Sequence, residues 1–314
     1  MPENGSKKLK ILVTGGAGFQ GTHLVEKLHE LGHEVTVLNT STPVAVSNQQ
    51  YIAGKAYMVW GSVTDFEVTE KVMRGKDVVF HLGGRISVDE SILDPWSTLD
   101  ANIKGTYNVL EAARKSGTRL IYTSTCEVYG RPEHLPITEK TELKPHTPYA
   151  SSKAAGDRLA YSYFLTYGLP VTIVRPFNLY GERQKEGKFG AVIPIFTAEA
   201  MRGEPIKIFG SGAQTRDYMH VSDIIRAYLF VLARPDLAGE VFNFGTGVMT
   251  SIKDIAEYIA GKFNTKVIFS DARPGDSTHI IADYSKAKKN FGWEPTVGIF
   301  DGLDRYIEWR KNKQ

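Results

Sequence analysis

The chain carries LKILVTGGAGFQG at residues 9–21. Leu9–Thr14 is an apolar run rich in β-branched residues, the pattern of a strand buried in a parallel sheet. Glycines follow in a GxxGxxG spacing at Gly15, Gly18 and Gly21. An amphipathic helix comes next, with Leu24, Val25, Leu28 and Leu31 on one side and Gly32 at its end. Glycines let the backbone approach a ligand closely, and a helix N-terminus offers unpaired N–H groups and positive potential. Strand, turn and helix together therefore predict a pyrophosphate site.

Further along, His33–Leu38 predicts a second strand ending at Asn39. Val59–Asp65 predicts a third and Val78–Leu82 a fourth, with a helix over Phe66–Arg74. This βαβαβ rhythm belongs to a doubly wound sheet. Asn39 stands where an acid, about 20 residues after the glycines, would bond the ribose hydroxyls. It can bond a hydroxyl but lacks the charge that repels a 2′-phosphate. No Arg or Lys lies between Asn39 and Gln50 to neutralise one. The balance points to NAD and leaves NADP open.

A helix over Leu99–Lys115 leads to Leu120–Tyr122 and then to TSTCEVYG at 123–130. Downstream lies YASSK, whose spacing puts Tyr149 and Lys153 on one helical face. A phenol titrates near ~10 and a neighbouring cation lowers that value, so the pair suits proton removal from an alcohol while a cofactor takes the hydride. His81, at a strand end, reads as a packed histidine, and Asp223 as part of a helix start. After Gly181 the regular pattern loosens into a loop over 182–190, a helix over Ala191–Arg202 and a strand at Ile206–Phe209. Helices at Ile252–Phe263 and Phe300–Trp309 close the chain.

The 314 residues suffice for a large core. A net charge of +3 with no basic stripe argues against nucleic acid as a partner. No apolar run approaches the ~20 residues of a membrane span, and no signal peptide is visible. The single cysteine, Cys126, admits no internal disulfide and suits a reducing cytoplasm. Histidines without HExxH spacing, and no CxxC, predict no metal site.

With these motifs in order, the sequence resembles the extended short-chain dehydrogenase/reductase family of NAD-dependent sugar-nucleotide epimerases and dehydratases. HLGGRISV (81–88), Asn102-x-x-Gly-Thr106, RPFNLYG (175–181), FGSGAQTRD (209–217), VFNFGTG (241–247) and RPGD (273–276) extend the likeness nearly end to end. The resemblance implies an α/β fold with a Rossmann-type doubly wound parallel sheet and a smaller C-terminal substrate-binding lobe. Residues 1–180 would form the dinucleotide-binding lobe and 181–314 mainly the substrate lobe, with 239–260 returning to the core. It implies Tyr149 as the base, Lys153 as the cation that lowers its pKa and holds the nicotinamide ribose, and Thr125 as the hydroxyl on the sugar's 4-oxygen. Gly15, Gly18, Phe19, Gln20, Gly21, Asn39, Ser62, Val63, Leu82 and Phe177 would line the cofactor, although Ser62 replaces an acid often found near the adenine. Ser87, Asn178, Val192, Arg216 and Arg273 would contact the nucleotide sugar, since arginine forks suit phosphate oxygens. The resemblance also implies a homodimer joined through the Leu99–Lys115 and Tyr149–Tyr167 helices.

Cys126 and Glu127 mark the reaction. A ketone at C4 makes the C5 proton acidic, and a carboxylate beside it can remove that proton and expel the 6-hydroxyl. The Cys-Glu pair in STCEVYG resembles the UDP-N-acetylglucosamine 5,6-dehydratase of tunicamycin-type biosynthesis, so dehydration of a UDP-hexose is expected. UDP-sugar 4-epimerization and UDP-glucuronate decarboxylation are the alternatives. Thr125, Tyr149 and Lys153 speak against a non-enzymatic dinucleotide-binding regulator.

Overall fold

Aliphatic runs buried on both faces build a seven-stranded sheet in a computed structural model that describes residues 7–187, 190–271 and 279–313. The chain divides into two units. Unit one comprises residues 1–130, 142–176 and 225–242, and unit two 131–141, 177–224 and 243–314.

Unit one begins β1 (Lys10–Thr14), α1 (Phe19–Glu30), β2 (Glu34–Asn39), α2 (Pro43–Ile52), β3 (Tyr57–Trp60), α3 (Phe66–Met73) and β4 (Val78–His81). It continues through α4 (Val88–Leu93), α5 (Pro95–Leu99), a π-helical turn at Asp100–Lys104, α6 (Gly105–Ser116), β5 (Arg119–Thr123), a 3₁₀ turn at Cys126–Tyr129, α7 (Pro148–Tyr167) and β6 (Val171–Pro176). The strands run β6-β5-β4-β1-β2-β3, all parallel, and Val241–Phe244 completes the sheet beside β6. Leu12, Val79, Leu120, Tyr122 and Ile173 pack with Val109, Leu110 and Ala160 of the helices. The third strand is shorter than expected, because Gly61–Asp65 turns away and Asp65 caps α3 through Val68 N–H at 3.1 Å. The helix expected over Leu99–Lys115 is interrupted by the π turn.

In unit two, β7 (Asn178–Tyr180), α8 (Val192–Met201), β8 (Ile206–Phe209), β9 (Thr215–Arg216) and β10 (Tyr218–His220) lead into α9 (Val221–Leu232), which crosses into unit one. After β11 (Val241–Phe244), the seventh strand of the sheet, whose first two residues belong to unit one, come β12 (Thr250–Ser251), α10 (Ile252–Phe263), β13 (Val267–Ser270), α11 (Ser285–Phe291) and α12 (Ile299–Asn312). Their core holds Tyr180, Phe196, Ile208, Ile255, Leu303 and Tyr306. Two buried aspartates staple its loops. Asp217 accepts from Thr246 N–H at 2.7 Å, Gly247 N–H at 2.9 Å and Ala282 N–H at 3.0 Å. Asp223 accepts from the Thr296 hydroxyl at 2.7 Å and Val297 N–H at 3.1 Å, the structural role its helix-start position suggested.

Two segments cross the boundary drawn near residue 180. Residues 131–141 join unit two because Ile137 pairs with Ala282 and Glu139 accepts from Asn243 N–H at 2.8 Å. Residues 225–242 join unit one because the buried Arg119 guanidinium donates to the carbonyls of Val231, Leu232 and Arg234 at 2.6, 2.8 and 3.1 Å.

Arg175, at the end of β6, donates to Asp157 of α7 through Nε (2.8 Å) and Nη2 (2.9 Å) and to the Tyr129 hydroxyl through Nη1 (2.8 Å). Arg175 and Asp157 are 2% and 0% exposed, so removing one strands a buried charge. Asp157→Asn should lower stability to urea by ~3–5 kcal/mol, whereas the double change Asp157→Leu with Arg175→Met should cost less. A larger loss in the double variant would contradict this.

Candidate active site

After β1 the backbone turns at Gly15, whose φ of +72° is left-handed. A Cβ there would lie 2.8 Å from Gly83 N, and one on Gly21 would lie 2.2 Å from the Gly15 carbonyl, so neither position admits a side chain. α1 starts at Gly18 without a side-chain cap, which leaves the N–H groups of Phe19, Gln20 and Gly21 in its first turn without intrahelical acceptors. Asn39, at the end of β2, accepts from Ala17 N–H at 3.1 Å and donates to the Thr40 carbonyl at 2.9 Å. Asn48 of α2 donates to the Ala17 carbonyl at 3.2 Å. The two asparagines thus hold the glycine turn itself. Leu82 N–H donates to the Thr14 carbonyl (3.2 Å), the Val63 carbonyl accepts from Asn108 (2.8 Å), and Ser62 bonds Thr64 (2.8 Å). A turn bare of side chains, ending on an uncapped helix, fits a dinucleotide pyrophosphate.

The second half of the site lies on β5 and α7. Thr147 caps α7 and Pro148 opens it, so Tyr149 and Lys153 fall one turn apart on its buried face. Burial pushes the Tyr149 phenol above its ordinary value. A hydrogen bond from Thr125 pulls it down, and the nearby Glu127 and Cys126 charges raise it further. The sequence expected Lys153 to lower this phenol. In the structure its ammonium donates to the Thr123 carbonyl at 2.6 Å and lies 4.6 Å from the centre of the Tyr122 ring. Burial lowers Lys153 to about 8, against the opposing field of Asp157. Thr125 also accepts from Glu127 N–H at 3.3 Å, so Thr125, Cys126 and Glu127 share one turn beside Tyr149.

Behind these residues runs a chain of hydrogen bonds with a fixed direction. The Thr106 hydroxyl donates to the Asn102 carbonyl at 2.6 Å, so it accepts from His81 Nε2 at 3.1 Å. His81 Nδ1 must then accept from the Thr14 hydroxyl at 2.7 Å, and Thr14 accepts from Gly83 N–H at 3.1 Å. Burial holds His81 down at about 3, so it stays neutral. The Asn102 side chain accepts from Arg85 N–H (2.8 Å) and donates to the Arg85 carbonyl (2.9 Å) and to Ser152 (2.8 Å), which donates to the Tyr149 carbonyl at 2.7 Å. Ser91 accepts from Tyr149 N–H at 3.1 Å. Asn102 and Ser152 lie in motifs visible in the sequence, but Ser91 carried no signal there.

Ser87 caps α4 by accepting from Glu90 N–H at 3.2 Å. In unit two, Asn178 pairs with Tyr218 across β7 and β10, two residues from Arg216. The Asn178 side-chain oxygen is buried without a hydrogen-bond partner. Phe177 is buried, its N–H bonded to the Phe244 carbonyl at 2.8 Å, and Val192 opens α8. Arg273 lies outside the described residues. Among the described residues no cluster could hold a metal ion.

Residues 11–245 match the family described as "NAD dependent epimerase/dehydratase family". The chain belongs to this family. It is 35% identical over 307 residues to the putative UDP-glucose 4-epimerase of Methanocaldococcus jannaschii, covering 96% of this chain and 98% of the relative. The UDP-N-acetyl-alpha-D-glucosaminuronate decarboxylase of Bacillus cytotoxicus is 32% identical over 316 residues, covering 96% and 98%. The crystal structure of a dTDP-glucose 4,6-dehydratase from Streptomyces venezuelae with NAD bound superposes with a TM-score of 0.91 at 31% identity, covering 97% of each chain. Family members therefore differ in reaction while sharing fold and cofactor. This enzyme uses NAD, which when bound supplies the acceptor for a hydride.

In the role the resemblance gives it, Lys153 supports proton removal only while charged. Turnover should therefore fall as pH rises through about 8. A rate profile flat to pH ~10, near the ordinary lysine value, would contradict this.

Proposed function

We propose that this member of the NAD-dependent epimerase/dehydratase family dehydrates a UDP-hexose, with UDP-N-acetylglucosamine the best match. The observation that supports it is the position of Glu127. Its carboxylate shares the Thr125 turn, and its charge is felt by the Tyr149 phenol. Bound NAD would supply the acceptor for the C4 hydride and its later return, so that cofactor is not consumed. Tyr149 takes the proton of the C4 hydroxyl while Thr125 holds the oxygen. The resulting C4 ketone acidifies the C5 proton, which Glu127 removes and passes to the departing 6-hydroxyl. Water leaves and a C5–C6 double bond forms. Asn178, Val192, Arg216 and Arg273 are assigned to the nucleotide part of the substrate, an arginine fork matching phosphate oxygens.

Incubation with UDP-N-acetylglucosamine should yield a product lighter by one water. Solvent deuterium exchanged into C5 of recovered substrate should disappear in Glu127→Gln. Unchanged mass with inverted C4 would mean a 4-epimerase, and carbon dioxide released from UDP-glucuronate would mean a decarboxylase.

A homodimer through α6 and α7 is also proposed. α6 leaves Tyr107 exposed, and at the end of α7 Leu165 and Tyr167 are 63% and 56% exposed, an apolar face suited to a second copy. Light scattering at micromolar concentration should give twice the chain mass, and a monomer there would rule the dimer out. No helix among the described residues is long and apolar enough to cross a membrane. We place the protein in the cytoplasm, where the buried Cys126 stays reduced.

A further inference from the structure

Tyr228 lies on α9, outside every motif discussed above. Its ring is fully buried and packs edge-on against Phe80 of β4, with centroids 5.8 Å apart. Its hydroxyl lies 2.7 Å from Gln20 Oε1 and 2.9 Å from the Thr123 hydroxyl. A carboxamide oxygen only accepts, so Tyr228 donates to Gln20 and Thr123 must donate to Tyr228. Thr123 is the residue whose carbonyl takes the Lys153 ammonium at 2.6 Å. Gln20 sits in the first turn of α1, next to the glycine turn.

We infer that Tyr228 is a positioning residue that ties the pyrophosphate turn at Gln20 to the Lys153 anchor at Thr123, so that cofactor binding and Lys153 placement are coupled. The inference rests on the NAD chemistry of the family, not on dehydration as the reaction. One hydroxyl serves both partners, at 2.7 Å from Gln20 and 2.9 Å from Thr123. The groups surrounding Lys153 are Tyr149 and Asp157 on its own helix, His81 on β4 and Tyr122 on β5. None of these touches Tyr228 in a hydrogen bond, so a change at Tyr228 reaches Lys153 through Thr123.

The test compares Tyr228→Phe, Gln20→Leu and the double variant in intact enzyme. NAD affinity is followed by fluorescence quenching and calorimetry between pH 6 and 9, around the Lys153 value of about 8. Tyr228→Phe keeps the ring and removes only the hydroxyl. It should weaken NAD binding by about tenfold and move the alkaline inflection to lower pH, because a loosened Thr123 anchor holds the ammonium less well. Gln20→Leu added to Tyr228→Phe should weaken binding little further. A lowered melting temperature with wild-type affinity and inflection would reduce Tyr228 to a packing residue. Single effects that multiply in the double variant would also overturn the coupling. Should Tyr228→Phe fail to fold, Thr123→Val breaks the same link, and wild-type binding in that variant overturns the inference equally.

Discussion

Everything at the site answers to one buried cation. An ammonium taken out of water costs several kcal/mol unless it is bonded and paired. Lys153 meets that cost with a short bond to the Thr123 carbonyl, the face of the Tyr122 ring and the field of Asp157, and its pKa still drops to about 8. Asp157 cannot move toward it, because Arg175 holds both of its oxygens and fixes Tyr129 as well. The same salt bridge therefore sets α7, the strand end of β6 and the Thr125–Glu127 turn in one register.

The hydrogen-bond chain through His81 serves the same end by a different route. Each hydroxyl in it has one proton to give, so fixing one donor fixes all the others and leaves a single imidazole tautomer. A neutral histidine does not respond to physiological pH. The link from Gly83 to the π turn, and through Asn102 and Ser152 to Tyr149, is thereby the same at pH 5 and pH 8.

Much of this was legible in the sequence. The glycine spacing gave the turn, and the strand pattern gave the sheet. YASSK placed Tyr149 beside Lys153 and TSTCEVYG placed Thr125 beside Glu127, because helical and turn geometry are local, whereas the meeting of the two motifs was implied by the resemblance. The long-range partners were not legible. Tyr228 is one aromatic among several in an apolar helix, and Arg119 looks like an ordinary strand-edge cation. Their roles depend on which carbonyls and hydroxyls the fold brings to them. The direction of Lys153 was also hidden, since helical spacing says which residues share a face but not which acceptor a long side chain chooses. The third strand ended early for a local reason, an Asp cap that competes with strand continuation.

The interleaving of the two units bears on how the chain folds as it leaves the ribosome. Neither unit is a continuous stretch. When the first 180 residues have emerged, Arg119 still lacks the three carbonyls that receive its guanidinium, and the sheet still lacks its last strand. An arginine bound for the interior must stay hydrated until α9 is synthesised. Completion of the nucleotide-binding half thus waits on residues 225–244, although its N-terminal motifs look ready to fold first.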